Sequence, residues 1–63
     1  MAPHQERVVN EKTQLDERLE KLKAFSLTPV FDNLPSDEKS RLTEQEGYMR
    51  SYSDVLGRRI AAF

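Results

Sequence analysis

A chain of 63 residues with a net charge of −1 forms one domain at most, and its 33% of charged residues is too evenly balanced for generic binding to a DNA or RNA polymer. With no cysteine and a single histidine it has no route to disulfides, thiolate zinc sites or a histidine metal cluster. No apolar run approaches the roughly 20 residues that span a bilayer, and "MAPHQERVV" lacks the basic and apolar regions of a signal peptide, so the expectation is a cytoplasmic protein without membrane contact.

The first periodic segment predicts a helix over about residues 4–25, entered at Pro3. Written as heptads, Val8, Leu15 and Leu22 take one seam position, and Lys12, Leu19 and Ser26 take the other. Glu17–Lys21 and Glu20–Lys23 are spaced for ion pairs along the helix, and early acids with late lysines suit its macrodipole. Lys12 is the anomaly, an ammonium on an otherwise apolar seam.

Residues 26–35, "SLTPVFDNLP", break the periodicity. Thr28 before Pro29 reads as an N-cap followed by proline at the first helical position, which predicts a single helical turn over Pro29–Asn33. Phe31 and Leu34 are expected to fold back and plug the closed end of a hairpin.

A second helix is expected over about residues 35–62, with Asp37 and Glu38 in its first turn and Arg58 and Arg59 in its last. Its seam reads Leu42, Gln45, Met49, Tyr52, Leu56, then Arg59 or Ile60, then Phe63. Tyr48, Val55 and Ala62 form a second stripe, which implies a neighbour besides the first helix. Gly47 and Gly57 each cost about 1 kcal/mol in a helix interior; they are either tolerated or mark close approach.

The predicted fold is all-α: residues 1–63 form one antiparallel two-helix hairpin with a short helical turn in the connector. A lone hairpin leaves one face of each helix wet, so hairpins should assemble into a homo-oligomeric bundle. Two stripes on the second helix favour a hexamer over a dimer.

Antiparallel packing of Leu22 near Leu42 places Lys12 opposite Tyr52, Val8 opposite Leu56 and His4 opposite Ile60. Apolar residues then collect at the closed end, where they hold the fold. The open end gathers His4, Arg7, Lys12, Tyr52, Arg58 and Arg59, with Tyr48 on a face that a neighbour could share. Lys12 can snorkel, laying its methylenes on Tyr52, or simply set register. Alternatively the cations bind phosphate and a tyrosine ring stacks on a base, which suits a small nucleotide. No nucleophile–base arrangement and no glycine-rich phosphate loop is present, so neither an enzyme nor a cofactor is expected.

"PHQERVVNEKTQLDERLEKLKAF" followed by "LPSDEKSRLTEQEGYMRSYSDVLGRRIAAF" resembles the crAss-phage-related small proteins, whose motifs run PHQ-x-RV-x-x-EK-x-x-L, LP-x-x-E and M-x-x-Y-x-x-x-L-x-x-RI. That group is similar to the helical hairpin of phage anti-CBASS and anti-Thoeris sponges, which form hexamers in the best-known cases and sequester cyclic nucleotide signals in pockets between subunits. The resemblance implies a non-enzymatic phage sponge in the host bacterial cytoplasm that takes up cyclic di- or trinucleotides. Lys12 is the counterpart of the sponges' first-helix lysine, and "GYM" at Gly47–Met49 is similar to their Gly-Phe-Met. The sponges draw their tyrosine from ahead of the first helix, where this chain has only Met1–His4. Tyr52 or Tyr48 is then the substitute, with Arg7 and Arg59 beside Lys12 on the phosphates and His4 capping the pocket. The alternative is a helical protein-interaction module that presents the Tyr48/Val55 stripe and has no nucleotide ligand.

Overall fold

The computed structural model describes residues 1–63 and contains three helices and no strand: α1 over Pro3–Ser26, α2 over Pro29–Asp32 and α3 over Ser36–Ala61. The start of α1 is set by Ala2 in extended conformation with Pro3 behind it, and the Gln5 side chain accepts from the Ala2 N–H at 2.9 Å. Thr28 does two jobs in the connector. Its hydroxyl donates to the Phe25 carbonyl at 2.7 Å, closing α1, and accepts from the Phe31 N–H at 3.3 Å, capping α2. Phe31 folds back so that its ring meets Phe25 edge-to-face at 6.1 Å, and the Lys39 ammonium donates to the Asp32 carbonyl at 3.3 Å.

α1 and α3 pack antiparallel into a rod of 46 × 14 × 13 Å with a radius of gyration of 14.5 Å. A compact domain of this length has a radius of about 10–11 Å. The accessible surface is 4769 Å², against about 4,200 Å² for a folded monomer of this mass. Only 5 of the 63 residues are buried, so one copy leaves much of its apolar surface unpartnered.

The core lies only partly where the sequence places it: Leu15 and Leu19 of the expected apolar set are buried, together with Val8 and Leu56. Its tightest cluster is Val8, Leu15 and Leu56, with Met49 and Ile60 against it, in the middle and open half of the hairpin. Leu56 is the one fully buried side chain. The closed end is looser: Leu22, Phe31 and Leu42 border a cavity of about 220 Å³ shared with Ser26, Thr43 and Glu46. Leu27 and Val30 point out at the tip, 87% and 62% exposed. A four-residue helix cannot carry enough side chain back over both long helices, so Phe31 reaches Phe25 and leaves the rest open.

The α3 seam is rotated by one residue from the expected one. Leu42, Glu46, Met49, Ser53, Leu56 and Ile60 face α1, while Gln45, Tyr52 and Arg59 are exposed. Both series have alternating spacings of three and four and share Leu42, Met49 and Leu56, so apolar periodicity leaves the two near-degenerate. A partner for Lys12 decides between them.

Candidate functional site

Lys12 is the centre of a polar network inside the seam. Its ammonium donates to Ser53 Oγ at 2.7 Å and to Asp16 Oδ2 at 3.0 Å. The Ser53 hydroxyl in turn donates to Asp16 Oδ1, which closes a triangle across the α1–α3 contact. Ser53 is only 7% exposed, and no buried side-chain nitrogen or oxygen of the chain lacks a partner. Those two donors, Ser53 first and Lys12 second, hold the Asp16 carboxyl below its ordinary pKa. The lysine stem lies across Gly57, where an added Cβ would meet Lys12 Cε at 3.6 Å. Two of the three ammonium donors are therefore matched within the hairpin. The ammonium joins the helices by hydrogen bonds within the apolar cluster of Val8, Leu15 and Leu56, where Ser53 and Gly57 leave room for it.

Lys12 and Ser53 are residue types found in nucleophile–base pairs, but here they do different work. With a carboxylate at 3.0 Å, Lys12 is a donor rather than a proton acceptor, and the buried Ser53 proton is committed to Asp16. The arrangement holds the ammonium across the seam and leaves it one N–H to present.

Tyr52 is not opposite Lys12. Its hydroxyl donates to Glu11 Oε2, and its ring stays 46% exposed. Glu11 and Asp16 are five residues apart on α1, about 140° around the helix, and Tyr52 and Gly57 stand in the same relation on α3. Tyr52 therefore leaves the seam on one flank with Glu11, and Lys12 leaves it on the other with Asp16. Within one chain the two residues do not form a common pocket.

The tyrosine flank carries a stripe of its own. Tyr48 is 68% exposed and lies one turn before Tyr52, with Val55 continuing the line. A shallow groove of about 560 Å³ runs along it, lined by Arg41, Glu44, Gln45, Tyr48, Met49 and Tyr52. Arg41 is already paired with Glu38 at 3.1 Å and Asp37 at 3.6 Å. The lysine flank opens on a second groove of about 560 Å³, bordered by Thr13, Asp16, Glu17, Glu20 and Lys21.

His4, Arg7, Arg58 and Arg59 are exposed in the first turns of α1 and the last turn of α3. The packing of Val8 against Leu56 brings these turns to the same end of the rod. The five ion pairs of the chain all run along single helices, through Lys12, Lys23, Arg41 (twice) and Arg50. Arg7, Arg58 and Arg59 are in none of them, and neither is the expected Glu17–Lys21 pair. The open end thus holds three unpaired guanidinium groups. No three His, Cys, Asp or Glu side chains converge anywhere, and no helix is long and apolar enough to cross a membrane.

Asp16 and Ser53 are absent from the residues that sequence reasoning selects. Asp16 is legible in retrospect as the i,i+4 partner of Lys12. Ser53 is legible only by asking which seam could accept an ammonium rather than which seam is most apolar.

A family model described as Sequestin matches residues 2–62. No curated protein and no solved structure matches the chain.

Proposed function

The chain belongs to the Sequestin family, and from that premise we propose that it is a phage sponge for cyclic di- or trinucleotide immune signals, acting in the host bacterial cytoplasm against CBASS-type defence. The family's name speaks for sequestration; the ligand class and the setting are our reading. The observation that carries it is the separation of Lys12 and the tyrosines onto opposite flanks of one hairpin. A ligand that needs a cation and stacked rings is served by the lysine flank of one copy and the tyrosine flank of the next. Such a head-to-tail contact closes into a ring rather than a two-fold dimer, which favours a hexamer. The surface left open by one copy supports the same assembly.

Tyr48 and Tyr52 are offset by one helical turn, about 6 Å along α3, and a base held between two rings at van der Waals contact needs about 7 Å. A small outward lean of the exposed Tyr48 ring supplies the difference. Glu11 fixes Tyr52 by its hydroxyl, so one wall is set before ligand arrives. Arg7 and Arg59, unpaired and at the open end, supply charge to the phosphates, and His4 lies beside them. The occupied serine and lysine favour holding over hydrolysis, so the proposal is of a binding protein and not an enzyme.

Calorimetry with a panel of cyclic di- and trinucleotides tests this. At least one should bind, and Tyr48→Ala or Tyr52→Ala should weaken it by about 5- to 150-fold, the value of one base–aromatic stack. Absence of heat with every member of the panel, with protein well above micromolar, contradicts the reading. In the second reading the exposed Tyr48/Val55 stripe docks a protein partner instead. Its mark is a stoichiometric complex that survives Arg7→Ala and Lys12→Ala.

A further inference from the structure

Resting on the sponge reading, we propose that Asp16 is a specificity-determining residue: its carboxylate lowers the preference of the Lys12 site for doubly charged terminal phosphates over singly charged phosphodiesters. The ammonium of Lys12 has three N–H donors, and two are engaged by Asp16 and Ser53. The third is free, and the side chain keeps 31% of its surface exposed. A phosphate oxygen can accept from that third donor without disturbing the other two.

Geometry then fixes the penalty. With Asp16 Oδ2 at 3.0 Å from the nitrogen and a phosphate oxygen at about 2.8 Å, tetrahedral N–H directions set the two oxygens about 4.7 Å apart. At that distance, even in bulk water at low salt, repulsion between two unit charges lowers affinity about 4-fold. The penalty recurs for every further negative charge on the ligand. The Lys12–Asp16 ion pair holds the carboxylate beside the site, and Ser53 donates to its other oxygen. The groove beyond does not offset the repulsion, because Glu17 and Glu20 line it against a single Lys21.

The chemical outcome is a charge filter. A cyclic oligonucleotide contains only phosphodiesters, each with one charge. A linear nucleotide carries a terminal group with about two. Lys12 alone would attract the second more strongly; Asp16 beside it takes back more than half of that gain. The pairing lowers the affinity of the site for linear nucleotides about 4-fold further than for cyclic ones, relative to a lysine without its carboxylate.

Calorimetry at low ionic strength with a 3′,3′-cyclic dinucleotide and its ring-opened, 5′-phosphorylated counterpart tests the filter. Asp16→Asn keeps the volume and an acceptor for Lys12 but removes the charge. It should tighten both ligands and tighten the linear one about 4-fold more, so that discrimination falls about 4-fold. Ser53→Ala and Asp16→Glu, which keep the carboxylate, should retain the wild-type ratio. Added salt should narrow the difference between the wild-type and Asp16→Asn ratios by screening the repulsion. An Asp16→Asn ratio equal to wild type overturns the filter, as does a Ser53→Ala ratio that falls as far as that of Asp16→Asn, or a difference between the wild-type and Asp16→Asn ratios that salt leaves unchanged. If the wild-type protein binds neither ligand, the sponge reading fails and the filter with it; cyclic binding with an unchanged ratio removes the filter alone.

Discussion

Ser53→Ala isolates the network that joins the two long helices. The hydroxyl accepts from Lys12 at 2.7 Å and donates to Asp16, so its removal takes one acceptor and one donor from two charged partners. A hydrogen bond to a charged group is worth about 1.5–3 kcal/mol when the partner is left dry. Here neither partner is dry, because the Lys12 and Asp16 side chains are 31% and 44% exposed and water can replace the lost hydroxyl. The Lys12–Asp16 contact itself also survives. The expected loss is therefore about 1 kcal/mol, near the net value of one hydrogen bond. For a protein this small the urea m-value is about 1 kcal/mol/M, so the unfolding midpoint, followed by circular dichroism at 222 nm, should fall by about 1 M. Lys12→Met supplies the second arm of a double-mutant cycle, with a coupling energy of at least about 0.5 kcal/mol expected for groups in contact. A Ser53→Ala midpoint equal to wild type, with additive effects in the double mutant, would refute the view that this triangle holds the hairpin.

Leu56→Ala empties the only fully buried position and should cost about 2–5 kcal/mol, half or more of the about 3–9 kcal/mol available to a chain of this length; a denaturation midpoint within error of wild type would place the core elsewhere. Gly47→Ala meets nothing within 4 Å and should raise stability by about 1 kcal/mol in a thermal melt. If it lowers the solution mass instead, Gly47 is a point of close approach between copies. Asp16 is held below its ordinary pKa of 3.8 by Ser53 and then Lys12, so its contribution to stability is complete above that pH and is lost as pH falls through the lower folded value. The stability difference between wild type and Asp16→Asn should accordingly shrink on acidification below pH 3.8 and be constant above it; a difference that grows on acidification contradicts the assigned hydrogen bonds.

The hairpin and its turn were legible because local chemistry dictates them. Thr28–Pro29 has one good use, and Leu15, Leu19 and Leu56 fall on helical faces that must meet. The rotation of α3 was not legible. Tyr52 and Ser53 each continue the Leu42–Met49–Leu56 series, and apolar preference selects the tyrosine. A bulky ring in the seam would hold the helices apart, whereas Ser53 admits close approach and gives the Lys12 ammonium an acceptor on α3 besides Asp16 on its own helix. The candidate site inherits that ambiguity. Arg7, Arg59 and His4 stand at the open end as expected, but Lys12 and Tyr52 are divided by a one-residue rotation that no hydrophobic count could reveal. Core placement was legible in part: Leu15 and Leu19 are buried, but the leucines and phenylalanines expected beyond them are only half-buried because a four-residue α2 cannot fold them shut.

Sequestration is tested most directly by recovery of the ligand. The protein is mixed with a cyclic dinucleotide below its own concentration, free nucleotide is removed by filtration, and the retained protein is heat-denatured and its supernatant chromatographed. The expected result is depletion of the filtrate followed by release of the same cyclic dinucleotide, chemically unchanged and in full yield. Ligand left in the filtrate, or recovered as a linear product, would contradict it.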